Sequence, residues 1–293
     1  MTTLRPLLIA GPTASGKSRY ALERAGEEPC VIINADSMQV YDGLRVITAR
    51  PSHEDVAAIP HDLYGHVSPS CAYSVGHWCQ DVEQALARAA ASNRRPIVVG
   101  GTGLYFKALL DGLSPVPEIP AEIRAKWRDA GLQQDTEHLH RQLMDVDPVM
   151  AERLRPSDPQ RIVRALEVFE ATGKSLAYWQ TVPGVRLLEF RDVEAVVITR
   201  PRQDLYDRAD ARLEQMLLNG AVEEVCELGE QKLEPSLPAM RALGVPQLLQ
   251  LIAGNLDRKA ALYGAKLQTR HYIKRQLTWI RRNMSSWKAI EKK

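Results

Sequence analysis

The sequence has few cysteines, little net charge and no long hydrophobic run, and each shortage excludes a class of protein. Its four cysteines form no C-x-x-C pair and are too scattered for a disulfide framework, so we expect reduced thiols. The seven histidines lack metal-ligand spacing, which argues against a structural zinc site. No apolar run reaches the length of a membrane span, and the first one is broken by Gly11 and Pro12 too early for a signal peptide. We therefore expect a cytoplasmic enzyme without a membrane partner.

The charge is small in sum but uneven along the chain. The net charge is only +2, yet the segment from Lys266 to the C-terminus holds nine lysines or arginines and one acid, Glu291. Within it, Ile273, Leu277 and Ile280 recur at helical spacing, which predicts a helix with one buried stripe. Basic side chains beside such a stripe suit RNA phosphates, although an ordinary solvated helix face would also explain them.

A phosphate-binding loop stands near the N-terminus. The residues at 11–18 fit the pattern G-x-x-x-x-G-K-[ST] and are Gly11, Pro12, Thr13, Ala14, Ser15, Gly16, Lys17 and Ser18. An apolar run precedes them and a helix-forming stretch follows, which is the order that this motif requires. We expect the loop amides to surround a diphosphate or triphosphate, Lys17 to neutralise it, and the Ser18 hydroxyl to reach a Mg²⁺ ion.

Short apolar runs and helical patterns alternate, which predicts an α/β fold with a parallel sheet. The predicted strands lie at 7–10, 30–34, 96–99 and 194–199. Prolines near 115 mark the start of an all-helical stretch that ends near 190, with predicted helices at 121–132, 138–143, 148–154 and 160–172. We predict a P-loop α/β core formed by 1–114 and 191–293, and a helical insertion domain at 115–190.

Polar side chains follow the second and third predicted strands. Asp36 comes directly after 30–34, at the sheet edge where open α/β folds bind ligands. It could serve as a Mg²⁺ ligand, as a general base or as a helix N-cap. The third strand ends in a glycine-rich turn that contains Thr102, whose hydroxyl could contact a ligand or cap the next helix.

Two arginine pairs complete the set of candidate residues. Arg161 and Arg164 lie three apart on a predicted helix of the insertion and suit phosphate or base contacts, although a solvated face is the commoner meaning. Arg208 and Arg212 lie four apart and share a helix face. They could clamp a diphosphate, or they could pair with nearby aspartates.

Five segments, in this order, resemble the tRNA dimethylallyltransferase family, also called the tRNA isopentenyltransferases or IPP transferases. The segments are GPTASGKS at 11–18, DSMQVY at 36–41, GGTGLYFKALLDGLSP at 100–115, DPQRIVRALEVF at 158–169 and TRHYIKRQLTWIRR at 269–282. The resemblance implies a P-loop NTPase-like core and transfer of a dimethylallyl group from dimethylallyl diphosphate to tRNA. The acceptor would be N6 of the adenosine 3′-adjacent to the anticodon, with release of pyrophosphate. It also implies Mg²⁺ as the cofactor, the anticodon stem-loop as the bound region, and a monomer.

The same resemblance assigns roles to individual residues. It implies Asp36 as general base, with Thr102 and Arg212 as further catalytic residues, 11–18 as the diphosphate loop and Ser18 as the Mg²⁺ ligand. The residues that it implies in tRNA binding are Asp36, Ser37, Met38, Gln39, Thr102, Arg124, Gln160, Arg161, Ile162, Val163, Arg164, Arg241, Lys274, Arg275, Gln276 and Arg281.

The chain departs from the family pattern at three places outside the phosphate loop and Asp36. Asp42 stands where the family usually has a basic residue, the segment ITARP at 47–51 replaces G-T-A-K-P, and LGVP at 243–246 replaces a G-Y pair. Three other functions stay open from the residues. These are a P-loop kinase of a nucleoside or small metabolite, a prenyltransferase acting on a free adenine nucleotide, and a nucleotide-switched RNA-binding protein.

Overall fold

The core of the protein is a six-stranded, all-parallel sheet. The computed structural model describes residues 4–292. Its strands are β1 (Leu7–Ala10), β2 (Cys30–Asn34), β3 (His61–Asp62), β4 (Arg95–Gly100), β5 (Glu194–Thr199) and β6 (Lys288–Glu291). They are arranged in the order β3-β2-β4-β1-β5-β6, and every neighbouring pair is parallel. The predicted α/β class with a parallel sheet is confirmed.

Helices connect the strands along the chain. In chain order they are α1 (Lys17–Ala25), α2 (His53–Ala58), α3 (Val75–Ala91), α4 (Gly103–Asp111), α5 (Ala121–Gln133), α6 (Thr136–Val146), α7 (Pro148–Arg153), α8 (Pro159–Thr172), α9 (Leu176–Thr181), α10 (Arg202–Leu218), α11 (Ala221–Glu230), α12 (Val245–Ile252) and α13 (Arg258–Asn283). Alternate side chains of the central strands point to opposite faces. Leu8 and Val98 pack against Trp78 of α3, while Leu7 and Ile97 pack against Ala21 of α1. This burial on both faces explains why the central strands are continuous apolar runs.

The chain divides into two compact units. One comprises the residues up to Leu110 together with those from Leu187 onward, and the other comprises Asp111–Arg186. The second unit contains helices α5 to α9 around its own core, in which Leu139, Leu143, Ile162 and Leu166 are completely or almost completely buried. The predicted boundaries, 115 and 190, fall close to these divisions, and the assignment of tRNA contacts to this unit stays a prediction.

The sequence pattern did not predict the two edge strands, β3 and β6. The predicted strands at 7–10, 30–34 and 194–199 match β1, β2 and β5, and the one at 96–99 lies within β4. Strand β3 has only two residues, and β6 is mostly exposed. Because neither forms a buried apolar run, neither carries the signal that marks the inner strands.

A close approach between two strand ends requires a glycine at the end of β4. A Cβ atom added to Gly100 would lie 1.9 Å from the carbonyl oxygen of Ala35. We expect Gly100→Ala to destabilise the fold by about 3 kcal/mol, because backbone would have to move. Urea denaturation measures this change. Gly76→Ala in α3, where the added atom meets only the Ser74 hydroxyl at 3.5 Å, should change stability by less than about 1 kcal/mol. Equal effects of the two substitutions would contradict the close-approach argument.

Candidate active site

The phosphate loop connects β1 to the N-terminus of α1. Gly16 adopts a φ of 92° directly before the helix, and the Ser15 amide donates to the Pro12 carbonyl at 3.2 Å, which closes the turn. A Cβ atom at Gly16 would meet no atom within 4 Å, so this part of the loop faces open space. The first turn of α1 contains no acidic residue. Free amides at a helix N-terminus without a competing carboxylate form an anion-binding site.

A strongly basic cleft of about 440 Å³ lies over this loop. Its lining residues are Ala14, Gly16, Lys17, Ser18, Arg19, Arg208, Ala211 and Arg212. Four of them are basic and none is acidic. Arg208 also donates to the Ala14 carbonyl at 3.1 Å, and Arg200 donates to the Ser15 carbonyl at 3.2 Å, so both side chains stabilise the loop. The volume and the charge suit a diphosphate.

Two cations of this cleft are affected by burial. Burial lowers the pKa of Lys17 to about 8; Asp36 opposes this shift and Arg212 adds to it. Burial also lowers the pKa of Arg212, against the opposing effect of Asp36. Because the ordinary pKa of a guanidinium is so high, Arg212 keeps its charge, whereas Lys17 loses its charge as the pH rises through about 8.

Anion binding should therefore weaken at alkaline pH. Sulfate does not titrate in this range, so its affinity in the absence of metal reports the charge of the protein. We expect sulfate to bind more weakly as the pH rises through about 8, because Lys17 is protonated below that value and neutral above it. Calorimetric titration at several pH values measures this. Lys17→Arg should remove most of the dependence; a wild-type curve that stays flat would contradict the assignment.

Asp36 lies at the carboxyl end of β2, where the buried Asn34 holds its backbone. The Asn34 side chain accepts from the Asp36 amide at 2.8 Å and donates to the Asp36 carbonyl at 3.0 Å. One carboxylate oxygen of Asp36 accepts from the Met38 amide at 3.0 Å. The other, Oδ2, lies 3.5 Å from the point where a Cβ atom of Gly101 would stand. Asp36 is thus fixed between two loops. Its negative charge attracts the positive charges of Lys17 and Arg212.

Thr102 joins the glycine-rich turn to the segment after Asp36. Its hydroxyl accepts from the Ser37 amide at 2.9 Å and donates to the Ser37 hydroxyl at 3.3 Å. Its own amide donates to the Ala35 carbonyl. The hydroxyl therefore bonds to the segment that follows β2.

The glycines of this turn make room for another part of the chain. A Cβ atom at Gly101 would lie 2.4 Å from the side-chain nitrogen of Gln276, and one at Gly103 would lie 2.2 Å from the Trp279 ring. Both of these residues belong to α13. The glycines therefore permit a close approach of the C-terminal helix to this turn.

A second cavity of about 230 Å³ adjoins the first, and Arg212 lines both. Its lining residues are Thr13, Asp36, Ser37, Met38, Ile47, Thr48, Ala209, Arg212, Leu213, Met216, Arg241, Leu243, Gln268, Thr269, Tyr272 and Arg275. Some of these lining side chains are apolar, among them Ile47, Leu213 and Met216. Others are polar or charged and include Asp36. This combination can hold a small hydrocarbon next to a carboxylate and beside the anion cleft.

Two residues of this site were missed as site residues by sequence reasoning. Tyr272 lines the second cavity together with Asp36 and Arg275. Burial and the nearby Asp36 raise the pKa of Tyr272, so its hydroxyl stays neutral.

Glu224 accepts hydrogen bonds from three consecutive backbone amides, those of residues 45–47, at 2.8 to 3.1 Å. It thereby fixes the loop that carries Ile47 into the cavity.

The predicted tRNA contacts of the core occupy several environments. Lys274, Arg275, Arg281 and Arg241 are exposed, and Arg275 stacks on the Tyr272 ring at 5.5 Å. Gln39 donates to the carbonyls of residues 48 and 49, so its amide nitrogen holds the loop of the second cavity. Gln276 differs from all of these, because only 6% of its surface is exposed.

The predicted contacts of the insertion also differ from one another. Gln160 and Arg161 are exposed, while the partly exposed Val163 packs against the insertion core. Arg164 pairs with the buried Glu167 at 3.2 Å, and Arg124 donates to the Ile119 carbonyl at 3.3 Å. Ile162 is completely buried in the core of the insertion. A side-chain contact of Ile162 with RNA is therefore wrong, since its apolar side chain packs inside the unit.

Ser18 is the candidate metal ligand that the geometry offers. It lines the basic cleft and is exposed there. Residues 4–292 contain no group of three or more histidines, cysteines or acids that could hold a metal ion. Within the same residues, no helix has both the length and the apolar character needed to cross a membrane. All four cysteines are free thiols.

Comparison with known proteins gives one consistent result. The IPP transferase family model matches residues 39–283. The tRNA dimethylallyltransferase of Bartonella tribocorum is 50% identical over 280 residues, covering 95% of this chain and 96% of the relative. The structure of the tRNA isopentenylpyrophosphate transferase from Bacillus halodurans superposes with a TM-score of 0.69 at 28% identity, covering 98% of this chain and 90% of that one. A eukaryotic dimethylallyltransferase described as acting on tRNA gives a TM-score of 0.82 at 26% identity, covering 98% of this chain and 74% of that one.

Proposed function

Because the chain belongs to the IPP transferase family, we propose that it transfers a dimethylallyl group from dimethylallyl diphosphate to tRNA and releases pyrophosphate. The acceptor is N6 of the adenosine 3′-adjacent to the anticodon. One observation carries the proposal: the basic cleft and the partly apolar cavity share Arg212, and Asp36 lines the second of them. The diphosphate, the dimethylallyl group and the general base can therefore occupy adjoining sites.

The reaction breaks the bond between the allylic carbon and the diphosphate oxygen and forms a bond from that carbon to N6. An exocyclic adenine amine is a poor nucleophile, so a carboxylate that accepts its proton accelerates the attack. Asp36 is the proposed base. Negative charge grows on the departing pyrophosphate, where the loop amides, Lys17 and Arg212 stabilise it.

Mg²⁺ is the proposed cofactor, and the donors in the cleft fit it. Mg²⁺ prefers oxygen ligands, keeps several waters and is bound largely through substrate phosphates, so one hydroxyl is a sufficient protein contribution. Ser18 is the residue that would hold it, beside the open space at Gly16. Bound there, the ion would neutralise diphosphate charge.

The target adenosine must leave the anticodon-loop stack to expose N6. In this proposal the flipped adenine is surrounded by Thr102, Ser37, Met38 and Gln39, since these residues lie at the strand ends beside Asp36. The exposed basic residues of α13 bind the RNA backbone together with Arg241. The insertion contributes through Arg124, through the side chains of Gln160, Arg161 and Arg164, and through the backbone of 160–164. We further propose that the protein acts in the cytoplasm, as its free thiols suggest, and as a monomer.

The kinase hypothesis is not favoured. Kinases and prenyltransferases can both use a phosphate loop, so the loop by itself does not separate them. The family match lies outside the loop, from residue 39 to residue 283, and includes the basic α13. A kinase of a small metabolite has no use for a basic helix at the edge of its cavity.

Charge on α13 should determine how salt affects RNA binding. Lys274 and Arg275 are both exposed, so replacing either by alanine should preserve the fold. We expect weaker tRNA binding and a salt dependence reduced by about one phosphate contact, with the chemical step largely preserved. Filter binding at several salt concentrations measures the slope. Lys259→Ala, at the other end of the same helix, is the matched control. Identical slopes in all three variants and the wild type would contradict the placement of RNA along this part of α13.

The proposed function is tested by offering two acceptors in parallel. The protein is incubated with Mg²⁺, labelled dimethylallyl diphosphate and either unmodified tRNA or AMP, and label and pyrophosphate are followed. Label in the tRNA with release of pyrophosphate supports the proposal. Label on AMP would make the acceptor a free nucleotide. Transfer to neither by a folded protein would contradict it.

A further inference from the structure

We propose that Gln276 is a positioning residue, which holds the phosphate loop and the Thr102 turn at a fixed separation and connects both to helix α13. The inference rests on the function proposed above. It assigns Gln276 a role other than the direct tRNA contact that the family resemblance implies.

The side-chain amide of Gln276 joins two loops that are far apart in sequence. Its oxygen accepts from the Thr13 amide at 2.9 Å, and its nitrogen donates to the Gly101 carbonyl at 3.0 Å. Thr13 belongs to the diphosphate loop, and Gly101 directly precedes Thr102. A primary amide offers a donor and an acceptor on one rigid plane, so this pair of contacts fixes both loops relative to each other.

Burial distinguishes Gln276 from the basic residues beside it. Only 6% of its surface is exposed, whereas Lys274 and Arg275 are exposed. The turn also packs closely against the Gln276 side chain, because a Cβ atom at Gly101 would come within 2.4 Å of the Gln276 nitrogen. Both polar atoms of Gln276 are already bonded within the protein. Because the side chain is also almost completely buried, RNA has little access to the amide at this position.

The consequence is a connection between RNA binding and diphosphate geometry. Helix α13 carries the basic side chains proposed to bind RNA, and Gln276 ties the same helix to the loop that holds the leaving group. A small shift of α13 would therefore move the Thr13 amide and the Thr102 turn together.

The test replaces Gln276 by methionine, which has similar size and flexibility but neither donates to Gly101 nor accepts well from Thr13. Gln215→Met, at an exposed position of α10, is the matched control. Three quantities are measured with the full-length protein: affinity for inorganic pyrophosphate with Mg²⁺ and no RNA, affinity for an anticodon stem-loop, and kcat at saturating substrates. Thermal denaturation establishes that each variant is folded.

A positioning role predicts a characteristic division of effects. Pyrophosphate affinity should fall by about tenfold, the loss of roughly one hydrogen bond. The kcat should fall by about 10²-fold, since a displacement near 1 Å has that cost. RNA affinity should match the control. Weaker RNA binding, with pyrophosphate affinity and kcat both intact, would overturn the proposal and restore a direct RNA contact. A wild-type protein that fails to transfer the prenyl group would count against the proposed function, while the pyrophosphate comparison would still decide the role of Gln276.

A second variant keeps the proposal testable if methionine prevents folding. In Gln276→Glu, the ionised side chain can accept from Thr13 but cannot donate to Gly101, whereas the protonated side chain can do both. The kcat of this variant, divided by that of the wild type at the same pH, should rise as the pH is lowered. A ratio that does not depend on pH would overturn the proposed role.

Discussion

Asp36→Asn is expected to lower kcat by about 10²- to 10⁴-fold, the contribution of a general base. The substitution is conservative for the structure, since the amide oxygen of asparagine can still accept from the Met38 amide as the carboxylate does. The substitution removes the carboxylate, and with it the ability to take the N6 proton. Single-turnover transfer to tRNA measures the effect.

The control for this variant lies in the same segment. Asp42 is exposed, and its carboxylate accepts from the neighbouring Gly43 amide at 2.8 Å. Asp42→Asn removes the same charge at a position outside both cavities and should leave kcat close to that of the wild type. Binding of tRNA should be preserved in both variants. Unchanged turnover of Asp36→Asn would remove Asp36 from the chemistry.

Lys17→Met is expected to lower kcat by about 10²- to 10³-fold, which is the usual cost of removing one group that stabilises a developing anion. Lys17 lines the basic cleft and donates to the Pro12 carbonyl at 3.4 Å, so its ammonium lies within the phosphate loop. Methionine keeps most of the aliphatic length and removes the charge. Pyrophosphate should also bind more weakly to this variant.

Lys259→Met is the matched control for Lys17→Met, because Lys259 is exposed at the first turn of α13. Its kcat and pyrophosphate affinity should match those of the wild type. If Lys17→Met retained normal kcat while Lys259→Met did too, the leaving group would have to be held elsewhere, and the basic cleft would lose its assigned role.

The central part of the fold could be predicted because its signal is local. Strands such as β1 and β2 are short, continuous and apolar, and a parallel sheet buried on both faces requires this pattern. The sheet edge could also be predicted, since the carboxyl ends of parallel strands meet there. Asp36, Thr102 and the phosphate loop are joined at this edge through Ser37 and Gln276.

The remaining features depend on contacts between distant parts of the chain. Glu224 bonds to the amides of residues 45–47, which lie 177 to 179 positions away. Gln276 bonds to Thr13 across 263 positions. Neither polar residue carries a local pattern, so sequence reasoning had no way to locate its partner. The family resemblance alone placed Ile162 among the RNA contacts, and it does not show that the side chain is buried.

The most direct test of the account is the identity of the modified nucleoside. A tRNA transcript with adenosine 3′-adjacent to the anticodon is incubated with the protein, Mg²⁺ and dimethylallyl diphosphate, then digested and analysed by mass spectrometry. A second transcript has guanosine at that one position. We expect N6-isopentenyladenosine from the first transcript, in amounts equal to the pyrophosphate released, and none from the second. Equal modification of both transcripts, or pyrophosphate release without a prenylated adenosine, would contradict it.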